Sequence, residues 1–247
     1  MRRAQKRIWI IGASSGIGQA LALQLAGLGH YIALSARRGH ELVRLYERLE
    51  GSGHLVVPVD VTDWAAVLDA KEGILKRWPQ INSVIFMAGI YTPMCLGALK
   101  LQEARKIIEV NLLGAFHAVE AVLPELLKQS DGQVALCASV SGYRGLPKGQ
   151  PYGATKAGMI NLAESLRAEH GKVLDIKVIN PGFVSSRLTD KNDFYMPMKV
   201  SPEKAAVSIV RRLESRSFEI GFPKCFVFFM KILRLLPDWL YFRMVGL

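Results

Sequence analysis

The sequence predicts an α/β fold, a single doubly wound, mostly parallel sheet of seven strands with helices on both faces. Apolar runs alternate with stretches of helical period almost to the end of the chain. Several of those runs are nearly continuous, as in strands covered by helices on both sides. The first run also leads directly into a glycine-rich turn, Ile11-Gly-Ala-Ser-Ser-Gly-Ile-Gly18.

In chain order the strands are expected at Arg7–Ile11, Tyr31–Ser35, 55–59, 83–87, 133–138, 175–179 and 218–221. The helices between them are expected at 16–28, 39–50, 64–78, 101–128, Tyr152–His170 and 202–215. No repeat, low-complexity tract or linker interrupts the 247 residues, so they read as one domain, of which 222–247 is a hydrophobic, basic C-terminal segment. Parallel neighbours require right-handed crossovers, which bring every strand's carboxyl end to the same edge of the sheet. Ligands of such sheets bind at that edge, where the strand order reverses.

Composition narrows the function classes. Half of the residues are apolar and 21% are charged, as in an ordinary soluble enzyme. Cys95, Cys137 and Cys225 are odd in number and far apart, which forms neither a metal pair nor a disulfide framework and suits a reducing, cytoplasmic setting. His30, His40, His54, His117 and His170 lack ligand spacing, so no metal is expected. The basic start, Met1 to Arg7, runs into a short strand rather than a signal-peptide core. Net charge is +11, yet no basic-aromatic interleaving or recognition-helix pattern points to nucleic acid. The charge suits an anionic cofactor or anionic headgroups instead.

The strand ends carry the chemistry. Gly12, Gly16 and Gly18 let the chain turn sharply and bring backbone close to a ligand, and the following helix aims its free N–H groups at the turn. A diphosphate fits there, flanked by Ser14, Ser15 and Ile17. The spacing is G-x-x-x-G-x-G, which matches the usual dinucleotide fingerprint in mechanism rather than in letter. After the second strand comes Ala36-Arg37-Arg38, where a carboxylate would hold a free ribose 2′-hydroxyl. Small Ala36 with two guanidinium forks favours a 2′-phosphate, hence NADP(H). Asp60 and Val61 end the third strand; Asp60 is placed either to meet an adenine amino group or to start a helix. Ala88-Gly89 after the fourth strand leaves room for a ribose.

Thirteen residues beyond Ser139 stands Tyr152-Gly-Ala-Thr-Lys156. Tyrosine and lysine one helical turn apart share a face. A nearby ammonium lowers a phenol pKa from its ordinary value near 10, which suits the hydroxyl to exchange a proton with a carbonyl oxygen.

Together these residues resemble the short-chain dehydrogenase/reductase family over roughly residues 8–186. Gly12, Gly16 and Gly18 match its phosphate turn. Ala88-Gly89 matches the end of its Asn-Asn-Ala-Gly segment, with Phe86 and Met87 in place of the asparagines. Asn111-Leu-Leu-Gly114 matches its Asn-x-x-Gly, Ser139, Tyr152 and Lys156 its catalytic trio, and Pro181-Gly182 with Val184 the segment beside the nicotinamide.

The resemblance implies a Rossmann-like fold, with 1–221 as a dinucleotide-binding catalytic unit that interconverts a carbonyl and a secondary alcohol. Tyr152 would be the proton donor or acceptor, and Ser139 would hold the substrate oxygen. Lys156 would tune Tyr152 and bond the nicotinamide ribose. Asn111 would anchor a water, or simply bond backbone at a helix kink. Ser186 would replace the threonine that often reaches the cofactor amide. Homodimers or homotetramers are common in the family, and a cofactor-binding scaffold or redox sensor without turnover is the competing reading.

Substrate loops are expected at 90–96, 141–150 and 183–200, with a mostly apolar lining that favours a hydrophobic substrate. The segment 222–247 departs from the family pattern. Its apolar run 225–236 is about 18 Å long as a helix, too short to cross a core about 30 Å thick. It either lies on a membrane surface or packs against another subunit or the substrate cleft.

Overall fold

The computed structural model describes residues 5–129, 131–191 and 193–245. Strands β1 (Arg7–Ile11), β2 (Tyr31–Ser35), β3 (Leu55–Val56), β4 (Ser83–Phe86), β5 (Gln133–Cys137), β6 (Asp175–Pro181) and β7 (Glu219–Phe222) form one sheet in the order β3-β2-β1-β4-β5-β6-β7. Every neighbouring pair is parallel, so the sheet is wholly rather than mostly parallel. Strand order reverses between β1 and β4, which makes that junction the mouth of the ligand cleft.

Alternation along each strand explains the continuous apolar runs. Trp9 and Ile11 of β1 point into one core, with Val84 and Phe86 of β4 and Leu136 of β5. Ile8 and Ile10 point into the other, with Ile85, Ala135 and Ile179. The first core is covered by α3 (Trp64–Leu75), α5 (Gly114–Leu126) and α6 (Tyr152–His170), and the second by α1 (Gly16–Gly27), α2 (Gly39–Tyr46) and α7 (Pro202–Leu213). Two buried faces leave no polar side to alternate with.

The departures from expectation have local causes. β3 is regular only through Val56, and Pro58 follows on this edge strand with its missing N–H on the side away from β2. Pairing nonetheless continues past it, through Val57 N–H to the Leu34 carbonyl and Val59 N–H to that of Ala36. The single long helix expected at 101–128 is α4 (Leu101–Ile108), a π-helical turn (Glu109–Leu113) and α5. Leu101–Leu126 is long and apolar enough to span a membrane by composition, but half of its most apolar window is buried inside the fold.

The C-terminal segment forms α8 (Lys224–Leu235) and α9 (Asp238–Val245), separated at Leu236-Pro237. Phe222, placed in that segment by the sequence, completes β7. Phe226, Val227, Met230, Leu233 and Tyr241 are buried in the first core, so the segment is a structural part of the domain. Glycines admit it: a Cβ on Gly182 would lie 2.7 Å from the Phe226 ring, and one on Gly221 2.9 Å from Val227.

Candidate active site

A cleft of about 780 Å³ opens along the carboxyl edge of β1, β4, β5 and β6. Its lining takes in Gly12, Ser14, Ser15, Gly16, Ile17, Gly18, Arg37, Arg38, Val61, Ala88, Gly89, Ser139, Tyr152, Lys156, Pro181, Gly182, Val184 and Ser186. Asp60 and Asn111, also singled out by sequence, do not line it.

The glycine turn is built for close approach. Gly12 has φ +101° and Gly16 φ +59°, where a side chain is strained. A Cβ on Gly12 would sit 2.4 Å from the Ala88 nitrogen, and one on Gly18 2.3 Å from the Gly12 oxygen. The turn is therefore pressed between α1 and the end of β4. Ser15 precedes α1 without capping it by its side chain, and no acidic residue sits in the first turn. The helix thus keeps free N–H groups for an anion. These features fit the diphosphate of a dinucleotide.

Arg38 reaches back over the turn, donating from its guanidinium to Ser14 Oγ at 3.0 Å and Ser15 Oγ at 3.5 Å. Arg37 lies 3.9 Å from Asp60 Oδ2, with both side chains about half exposed. Asp60 Oδ1 accepts from Thr62 N–H (3.0 Å) and Thr62 Oγ1 (2.8 Å). Helix capping falls to Asp63, which accepts from Ala66 N–H at 3.1 Å. The helix start is therefore Asp63 and not Asp60, whose carboxylate closes its own turn and faces Arg37.

Asn111 lies in the π-helical turn, fully buried. Its Oδ1 accepts from Ile90 N–H at 2.7 Å, and its Nδ2 donates to the Ile90 carbonyl at 2.9 Å and Thr155 Oγ1 at 3.3 Å. It therefore clamps the loop after β4 to α6. Three positions on, a Cβ at Gly114 would lie 2.7 Å from Val61, so the Asn-x-x-Gly spacing serves one clamp and one close contact. A Cβ at Gly89 would find Asn111 Oδ1 at 3.5 Å and Lys156 Nζ at 3.7 Å. The two side chains thus flank one point.

Tyr152 opens α6, and Lys156 follows one turn later, its Nζ 5.5 Å from the Tyr152 ring centroid. Lys156 Nζ donates to the Cys137 carbonyl at 2.6 Å. Burial pushes the Tyr152 hydroxyl above its ordinary value near 10, and its hydrogen bond with Ser139 pulls the other way. Burial also lowers Lys156. The balance at the Tyr152 hydroxyl is set by desolvation. Ser139 Oγ accepts from Ser141 N–H at 3.2 Å and donates to the Pro181 carbonyl at 3.5 Å, which aims it between β5 and β6.

Residues 6–194 match the family described as short chain dehydrogenase. The chain belongs to the short-chain dehydrogenase/reductase family. It is accordingly an NAD(P)-dependent oxidoreductase. It is 31% identical over 235 residues to an uncharacterized oxidoreductase of Myxococcus xanthus, covering 94% of this chain and 93% of the relative. Among solved structures it is similar to a short chain dehydrogenase/reductase from Burkholderia phymatum in complex with NAD (TM-score 0.84, 21% identity, 92% of each chain). It is also similar to an alcohol dehydrogenase from the archaeon Thermococcus sibiricus complexed with 5-hydroxy-NADP (TM-score 0.78, 25% identity, 88% of this chain and 96% of the other).

Several positioning contacts of this family member lie beyond what the sequence shows. Thr155 Oγ1 donates to the Tyr152 carbonyl at 2.7 Å while receiving Asn111. Tyr91 packs its ring edge-on to Tyr152, centroids 5.1 Å apart. Lys191 Nζ donates to the Tyr91 carbonyl at 2.7 Å, joining the loops 90–96 and 183–200 across the cleft. Arg144 ties the loop after β5 to α8 and α9: it donates to the Leu233 carbonyl (3.0 Å), the Leu236 carbonyl (2.6 Å) and Asp238 (2.5 Å), and lies 3.8 Å over the Tyr241 ring. These bonds join residues up to 100 positions apart, so no local pattern announces them.

Proposed function

We propose that this short-chain dehydrogenase/reductase uses NADP(H) to interconvert a carbonyl and a secondary alcohol on a hydrophobic, lipid-like substrate. The observation that carries the reading is the single cleft that holds Ser139, Tyr152 and Lys156 at one end and the glycine turn with Arg37 and Arg38 at the other. The dinucleotide would be held by Gly12 to Gly18 at the diphosphate and by Arg37 and Arg38 at a 2′-phosphate. Val61, Ala88, Gly89, Pro181, Gly182, Val184 and Ser186 would line its remaining length. When bound, it supplies or accepts the hydride.

The chain's own residues handle the oxygen and its proton. Ser139 Oγ orients the substrate oxygen, and Tyr152 gives it a proton in reduction or takes one in oxidation. Lys156, fixed on the Cys137 carbonyl, faces the same space and would bond the ribose. Asn111 holds Ile90 and Thr155 in place and acts as a positioning residue. Tyr91 supplies an apolar edge at the reacting end, and Phe183, next to Gly182, packs edge-on to Phe194 at 5.9 Å and tilted against Phe226 at 5.4 Å.

The test is NADPH oxidation against ketones graded by chain length and ring content, with NADH in parallel. The reading requires turnover that rises with apolar size and prefers NADPH. Tight NADPH binding without turnover on any ketone would leave the scaffold or sensor role instead.

A further inference from the structure

Helices α8 and α9 each bury one stripe and show the opposite one to solvent. In α8 the inner stripe is Phe226, Met230 and Leu233, and the outer one is Phe228, Ile232 and Leu235. Phe228 is 67% exposed and Leu235 83%. Spacings of three and four residues put these three on one side of the helix. In α9, Tyr241 is buried while Trp239 (70% exposed) and Phe242 face outward. An apolar helix is normally buried all round, and an outer face this apolar calls for a partner.

Charge identifies the partner. Lys224, Arg234 and Arg243 stand exposed among these apolar groups, and the only acid in 222–247 is Asp238, already bonded to Arg144. Aromatic and aliphatic tips interspersed with cations that form no ion pair among the described residues match the boundary between anionic headgroups and acyl chains. α8 is 12 residues long, about 18 Å, so the pair can lie in that boundary and cannot cross it. The net charge of +11 adds long-range attraction to the same surface.

We infer that the outer face of α8 and α9 is a docking surface for an anionic phospholipid bilayer. The docking does not depend on which carbonyl compound the cleft takes. It does place the substrate loop beside the lipid, because Phe226 on the inner stripe stacks on Phe183 and presses on Gly182. The anchor is rigid: Arg144 holds the α8 end, Tyr241 donates its hydroxyl to the Gly145 carbonyl, and Lys231 pairs with Glu219.

Flotation of the full-length protein with phosphatidylcholine vesicles, alone or containing phosphatidylglycerol, tests this. Binding is expected to the anionic vesicles and to weaken with salt. The exposed-site variant Phe228→Gln/Leu235→Gln/Trp239→Gln should lose binding by about tenfold or more for each apolar group removed. Lys224→Gln/Arg234→Gln/Arg243→Gln should lose about fivefold per cation. As a readout that needs no stable variant, brominated phosphatidylglycerol should quench wild-type fluorescence through Trp239, since Trp9 and Trp78 are buried and Trp64, half-buried on α3, packs against the His117 ring. Wild type remaining in the aqueous layer, or unquenched, overturns the inference. So does an oligomer that dissociates in the apolar variant while vesicle binding is absent throughout, which would make the face a contact between copies of this chain.

Discussion

Replacing Arg37 with alanine separates the proposed 2′-phosphate contact from every other contact of the dinucleotide. Its ion pair with Asp60 spans 3.9 Å between side chains 50% and 41% exposed, so breaking it costs at most about 1 kcal/mol of stability. A charge-assisted bond to a phosphate contributes about 1.5–3 kcal/mol, or roughly 10- to 150-fold in dissociation constant. Arg38 remains nearby on Ser14 and Ser15 and compensates in part, so Arg37→Ala should weaken NADPH about tenfold while NADH changes little. Asp60→Ala runs the other way. A carboxylate this close to Arg37 repels an incoming phosphate by about 1 kcal/mol at the dielectric of water, so its removal should tighten NADPH up to about fivefold. Fluorescence titration of both nucleotides into wild type, the single variants and the double variant reads all four corners. Equal losses for NADPH and NADH on Arg37→Ala would refute the 2′-phosphate assignment. A parallel loss of both nucleotides on Asp60→Ala would instead place the Asp60 carboxylate on the adenine.

Tyr152→Phe should keep NADPH binding and the fold but lower kcat by a factor of about 10²–10⁴, the range of a positioned proton donor; residual turnover within tenfold of wild type removes Tyr152 from that role. Arg144→Ala leaves the end of α8 without its clip and should cost about 2–4 kcal/mol, a melting point roughly 10 °C lower by calorimetry, and an unchanged melting point would show the clip to be dispensable. Acid should loosen the same region. Burial alone would raise the Glu219 carboxyl, but bonds from Lys231, Tyr143 and Asn180 outweigh it and hold it below the ordinary carboxylate value. The stability this gives is full above the ordinary value and lost as pH falls through the lowered native one, so Glu219→Gln should flatten the stability profile on the acid side, and an unaltered urea midpoint profile there would contradict it.

What could be read ahead depended on how local the cause was. The six main helices and seven strands follow from periodicity and breakers, and errors gathered at the end of β3 and inside the long helix, where a π-helical turn holds Asn111. Gly12 and Gly16 could be read as glycines that must turn, because positive φ is a property of one residue and its neighbours. Tyr152 and Lys156 were legible for the same reason: helical spacing alone puts them on one face.

Relations set by the arrangement of distant strands were not legible. Gly12 needs its bare Cα also because β4 brings Ala88 against it, and the turn that Asp60 closes also delivers its carboxylate to Arg37. The phenol of Tyr152 stands higher than its lysine neighbour suggested, because desolvation depends on all that packs around a group and not on its nearest partner.

The sequence by itself determined the parallel sheet, the phosphate turn and the membership of the family, since each rests on residue types at short fixed intervals. Only the tertiary structure decided which half of the C-terminal segment is core and which is surface, and which carboxylates and cations are already paired. Those are sums over contacts between residues far apart in the chain, and no interval along the sequence encodes them.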